Sequence, residues 1–262
     1  MSEPTAPEDG GPQETFISHL IELRSRLLRS IVAVVVVLLC LVPFAKDIYA
    51  ELAAPLVRAL PKGATMIATD VTGTFFVPLK VTAMAAFLLA LPYVLWQAWA
   101  FVAPGLYQHE KRLALPVIVS SVVFFFLGMA FAYFLVFPIA FHFFAAYAPA
   151  GVTMMTDIDK YLSFVLTMFV AFGITFEVPV VVIVLVRMRI VPLEKLRSIR
   201  PYVIVGAFVV GAIFTPPDVV SQLLLAVPMW LLYELGLLMA RIMVPPVAPD
   251  SEADAAKPEA GA

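Results

Sequence analysis

The sequence predicts an all-α polytopic membrane protein with six transmembrane helices and both termini cytoplasmic. Three observations predict it. Of the 262 residues, 62% are hydrophobic and 14% charged, with mean hydropathy +0.98, whereas a soluble domain carries about 25% charged residues. Six apolar runs, at 27–44, 76–102, 115–144, 161–186, 202–214 and 219–240, stand against the roughly 20 residues a span needs. Finally, Lys and Arg alternate in density from one connection to the next, as the positive-inside bias requires.

The chain opens on MSEPTAPEDGGPQE, acidic and rich in Pro and Gly. It lacks the basic start of a cleavable signal peptide, so the first span is expected to be retained. Residues 1–14 and 244–262 read as disordered tails around one membrane domain, 15–243. That domain begins with FISHLIELRSRLLR, where Phe16, Leu20, Leu23 and Leu27 fall on one helical stripe and Ser18, Glu22, Ser25 and Arg29 on another. This is a helix that starts in water and continues into lipid, with Arg24, Arg26 and Arg29 at its mouth.

The basic residues orient the spans. Segments 24–29, 111–112 and 187–200 hold three, two and five Lys or Arg residues. The alternate connections are poorer for their length: 46–74 holds Lys46, Arg58 and Lys62, 145–160 only Lys160, and 215–218 none. The basic segments are therefore cytoplasmic. In the first outer connection Ile48, Leu52, Leu56 and Leu60 recur at four-residue steps and Pro55 interrupts them, which predicts a bent helix over the outer mouth.

Gly128 with Ala132, and Ala207 with Gly211, are small residues four apart that let helix backbones approach closely, within the chain or with a partner helix. The fifth run, 202–214, is thirteen residues, about 20 Å of helix against about 30 Å of hydrocarbon. The sixth is interrupted by Gln222 and Glu234, so it too reads as short. Short spans thin the bilayer or seek partners.

Glu177 lies inside the fourth span, two residues before Pro179, where a charge costs about 2.5 to 3.5 kcal/mol on insertion scales. It is either a protonated hydrogen-bond node or a functional polar site, with Thr215 and Gln222 as candidate companions. Glu22 and Glu110 stand among basic residues on the cytoplasmic face. Each alone reads as a solvated charge or, for Glu22, an i,i+4 pair with Arg26. Together they suit bidentate capture of guanidinium groups.

Catalysis has little support, because HExxH, GxSxG, Walker A and GxGxxG patterns are all missing. His19 and His109 read as solvated or capping groups and His142 as an interface residue. The single cysteine, Cys40, excludes an intrachain disulfide and reads as a small apolar core residue. No cofactor and no metal are expected. With net charge -2 there is no basic field for nucleic acid.

The stretches HLIELRSRL (19–27), MIATDVTGTFF (66–76), WAFVAPGLYQHEKR (99–112), GMAFAYFLVFP (128–138), FGITFEVPV (172–180) and RPYVIVGAFVVGAIFTPPD (200–218) resemble the TatC subunits of twin-arginine translocases, over nearly all of 15–243. That resemblance implies a glove-shaped bundle with a concave face in a bacterial inner membrane. It implies a non-enzymatic receptor for twin-arginine signal peptides on folded cargo, driven by the proton gradient. It assigns peptide binding to Glu22, Arg24, Phe101 and Glu110, and a later translocation step to Glu177. Docking of the single-span partners TatA and TatB falls to Ala207, Gly211, Thr215 and Gln222, and outer-side assembly, with other TatC copies, to Pro55 and Asp218.

A second class remains open from the residues alone, a proton-coupled solute carrier using Glu177 as a relay. Against it, carriers tend to repeat interrupted helices in both halves, and the TFEVP stretch has no second copy. An intramembrane hydrolase lacks any nucleophile with a partner.

Overall fold

The computed structural model describes residues 12–50, 66–70, 72–102, 111–146, 156–215 and 218–243. Nearly all of them are helical. The helices are α1 (Pro12–Leu41), α2 (Gly73–Val102), α3 (Lys111–Phe131), α4 (Phe137–Ala146), α5 (Ile158–Phe176), α6 (Val178–Arg187), α7 (Leu193–Ser198), α8 (Arg200–Phe214) and α9 (Val219–Met243). In a bilayer no water is available to the backbone, so a spanning chain satisfies its N–H and C=O groups within helices.

Among the described residues five helical stretches are long and apolar enough to cross a membrane, 19–50, 73–101, 115–144, 158–187 and 219–243, and the shorter apolar helix is α8. The shortness expected of the fifth run holds, since α8 has 15 residues, about 22 Å. The sixth differs from expectation. Helix α9 has 25 residues, about 37 Å, because its two polar side chains are satisfied without leaving the helix. Gln222 donates to the Phe208 carbonyl at 2.9 Å and Glu234 accepts from Arg200 at 2.6 Å. Helix α1 is described from Pro12 and α9 to Met243.

The chain packs as two compact units, one up to Gly173 and one from Ile174 onward. In the first, α1 lies along α2 and α2 along α3. Trp99 ties α2 to α3 by donating its indole N–H to the buried Ser121 hydroxyl at 2.8 Å. A π-helical turn, Ala132–Val136, joins α3 to α4. Beyond it the buried Phe137 packs its ring against Phe141, Phe164 and Phe169. Gly173 is needed where it stands, because a Cβ there would come within 2.6 Å of the Phe125 ring.

The end of this unit is tied by a two-residue parallel bridge, Met66–Ile67 with Thr156–Asp157. Asp157 caps α5, its Oδ1 accepting from the Asp159 and Lys160 amides at 2.8 and 3.2 Å. Its Oδ2 accepts from the Thr69 hydroxyl, and these bonds, the Thr69 hydroxyl first, hold the carboxyl below the ordinary aspartate range. Lys80 of α2 pairs with Asp159 at 2.6 Å.

The second unit centres on α9, which packs against α6 and α8. Val182, Val186, Leu196, Tyr233, Leu237 and Ala240 form its core. Tyr233 donates its hydroxyl to the Leu196 carbonyl at 2.7 Å, fixing α7 to α9. Gly236 lets α6 come close, since a Cβ there would lie 2.9 Å from Pro179 Cα.

The expected bent helix around Pro55, and Glu110 in its loop, lie outside the described residues. Cys40, expected in the core, is exposed, as is His142, expected at an interface.

Candidate functional site

In the first turns of α1, Glu22, Ser25 and Arg26 lie on the face toward α2. Leu20, Leu23 and Leu27 are 47%, 40% and 56% exposed, while Glu22, Ser25 and Arg26 are half-buried. Lipid reverses the ordering of a soluble helix, since apolar side chains need no burial there and polar ones must meet protein.

On that polar face the side chains connect. Arg26 sits one turn after Glu22 and donates from Nε and Nη2 to Glu22 Oε1, at 2.8 and 2.6 Å. Its Nη1 donates to Gln97 Oε1 on α2 at 3.4 Å, and Gln97 Nε2 donates to the Tyr93 hydroxyl at 2.8 Å. Gln97 is 4% exposed, so the guanidinium is anchored at both ends. One turn before Glu22, the His19 ring stacks on Phe101 with centroids 4.4 Å apart and planes 18° from parallel. Residues 19 to 26 of α1 thus meet residues 101 to 93 of α2 in antiparallel order. Beside them Ser25, Arg29, Val32 and Tyr93 line a shallow groove of about 420 Å³.

Of the four residues assigned to peptide binding, Glu22 and Phe101 come onto this one helix pair, and Arg24 lies on its exposed flank. Arg26, Gln97 and Tyr93 complete the polar array, and no sequence pattern placed Gln97 or Tyr93 in it. Glu22 and Arg26 carried the i,i+4 signal; Gln97 carried the weaker one of a lone amide within an apolar run.

Glu177 stands at the break between α5 and α6. Pro179 has no N–H to give the Thr175 carbonyl, so the α-helical ladder cannot run through. The Glu177 amide instead bonds the Ile174 carbonyl at 3.0 Å, and α6 restarts with Val181 N–H on the Glu177 carbonyl at 2.9 Å. Both carboxylate oxygens of Glu177 are buried, as are Thr175 and Pro179 beside it.

The companions suggested for Glu177 bond the α8 backbone. Thr215 donates its hydroxyl to the Gly211 carbonyl at 2.8 Å, and Gln222 bonds the Phe208 carbonyl. Ala207 is 1% exposed, and a Cβ on Gly211 would lie 3.1 Å from Gln222 Cγ. This small pair is therefore used in packing α8 against α9 of the same chain. The open face of α8 is the opposite one, with Tyr202, Val205, Val209 and Ile213 at 77%, 63%, 54% and 71% exposure. Asp218 caps α9, its Oδ1 accepting from the Ser221 amide at 2.7 Å.

Long apolar helices with outward leucines, inward carboxylates and a proline-broken span define a multi-pass α-helical membrane protein. The chain belongs to the TatC family: the family model described as Sec-independent protein translocase protein (TatC) matches residues 18–228.

Two relatives named Sec-independent protein translocase protein TatC are close in sequence. That of Azotobacter chroococcum mcd 1 is 59% identical, over 88% of this chain and 91% of its own length. That of Escherichia coli strain K12 is 57% identical, over 88% and 90%. A crystal structure described as the twin arginine translocase receptor TatC superposes with a TM-score of 0.76 at 40% identity. It covers 86% of this chain and 98% of that one.

Proposed function

We propose that this chain is the core receptor subunit of a twin-arginine protein translocase in a bacterial inner membrane, with both termini cytoplasmic. It binds the signal peptides of folded cargo through Glu22, Glu110, Phe101 and Arg24. With the single-span subunits TatA and TatB, and with other copies of itself, it forms an export site driven by the proton gradient. Glu177 serves a later translocation step, and Pro55 and Asp218 serve assembly on the outer side. The chain makes and breaks no covalent bond.

One observation carries this reading: Glu22 already holds a guanidinium group, with two nitrogens of Arg26 on one carboxylate oxygen. Charge-assisted bonds of this geometry recognise arginine in a way a lysine ammonium does not reproduce. The family membership and the crystal structure described as a receptor support it.

The experiment is photocross-linking from positions 22 and 110 to a signal peptide carrying two arginines, or two lysines in their place. Cross-links to the arginine peptide that vanish for the lysine peptide are expected. Equal cross-linking of both would remove the guanidinium basis. Cross-linking of neither would leave the two acids as surface charges and turn attention to Glu177 and the carrier reading.

A further inference from the structure

The second unit carries a groove that the receptor reading does not use. Arg197 of α7, Arg200 at the start of α8 and Arg241 in the last turn of α9 line it with Glu234, Leu231 and Leu238, enclosing about 470 Å³. Arg200 is paired with Glu234 at 2.6 Å. Among the described residues neither Arg197 nor Arg241 bonds a carboxylate. Three guanidinium groups against one carboxylate leave the groove two charges positive.

Charged and apolar side chains alternate along the α9 wall of this groove. Leu231, Glu234, Leu238 and Arg241 follow one another at steps of three, four and three along α9, so they share a face. From Leu231 to Arg241 that face rises about 15 Å, half the thickness of a bilayer's hydrocarbon core. Both leucines are 53% exposed. Guanidinium groups beside exposed leucines on one helix face match a phospholipid, with its phosphate on the arginines and a chain along the leucines. A free anion would have no use for the leucines.

We infer that this groove between α7, α8 and α9 binds one anionic phospholipid, with Arg197 and Arg241 on the phosphate and Leu231 and Leu238 against an acyl chain. Arg200 is held ready by Glu234, its place fixed without cancelling the other two charges. The binding is selective by charge, because the leucines offer a zwitterionic lipid the same contact. Basic pockets at the ends of spans hold anionic headgroups by this physics.

The test uses the full chain, delipidated in a neutral detergent and titrated in native mass spectrometry with phosphatidylglycerol or with phosphatidylcholine. Wild type is expected to prefer phosphatidylglycerol, and the double variant Arg197→Gln, Arg241→Gln to lose at least about five-fold of that preference, with phosphatidylcholine binding unchanged. Five-fold corresponds to about 1 kcal/mol, the contribution of one basic residue near an anionic surface. The charge-retaining pair Arg197→Lys, Arg241→Lys keeps the preference, which separates charge from any change of fold. An unaltered preference in the Gln variant overturns the proposal. So does displacement of the lipid by millimolar inorganic phosphate, which would make the groove a free-anion site. No outcome depends on signal-peptide binding.

Discussion

Arg26 and Glu22 meet through two guanidinium nitrogens on a single carboxylate oxygen, at 2.8 and 2.6 Å, while the third nitrogen holds Gln97. An arginine already occupies the acid proposed to receive one. An incoming signal peptide must therefore compete with it. An i,i+4 pair is worth only about 0.2 to 0.5 kcal/mol, so the competition is mild. Arg26→Ala is expected to raise the affinity for a twin-arginine peptide about two-fold, and Glu22→Gln to lower it, in a fluorescence anisotropy titration. Weaker binding by Arg26→Ala would mean that Arg26 positions Glu22 rather than competing for it.

Glu177 has both carboxylate oxygens buried at a helix break. Glu177→Gln keeps shape and hydrogen-bonding capacity but cannot ionise. Unchanged melting in detergent and unchanged peptide cross-linking are expected, together with impaired transport of a folded cargo into inverted vesicles. A variant that no longer folds would make Glu177 a structural node instead.

At Gly236 a Cβ would sit 2.9 Å from Pro179 Cα and 3.1 Å from Val182 Cβ. Backbone cannot step aside as a flexible side-chain end can. Gly236→Ala should cost about 1 to 3 kcal/mol, the usual range for overpacking a core, and lower the melting temperature. Gly206, with nothing within 4 Å of the same added atom, is the control, and Gly206→Ala should leave the melt nearly unchanged.

Asp157 gives a pH dependence with a definite sign. Its carboxyl is held below the usual range, first by the Thr69 hydroxyl and then by backbone amides. A lowered folded value means that its stabilisation is complete above the unfolded value of about 3.9 and is lost as pH falls through the folded one. Melting temperature should therefore be insensitive to this group from pH 7 to about 5 and decline under stronger acid. Asp157→Asn should flatten that decline, and an identical acid limb in the variant would assign it to other carboxylates.

The helices were legible because each apolar run has one available solution in lipid, and the run 202–214 announced its own shortness. The sixth run misled because Gln222 and Glu234 look like ends in a local pattern. In fact each finds a partner on α8, at Phe208 and Arg200, and partners of that kind leave no trace in nearby residues. The Glu22 to Arg26 spacing was readable as one helical turn. Gln97, 71 residues from Arg26, was not, and neither was the use of Gly211 within its own chain. Periodicity found two stripes on α1 but could not say which faces inward, since that depends on the solvent.

The inverted face of α1 carries a practical consequence. Its leucines are only partly covered by protein, so whatever amphiphile surrounds the purified chain becomes part of what holds α1 upright. A melting temperature measured in a micelle then belongs jointly to protein and detergent. Lengthening the detergent's alkyl tail becomes, in effect, a substitution made outside the polypeptide.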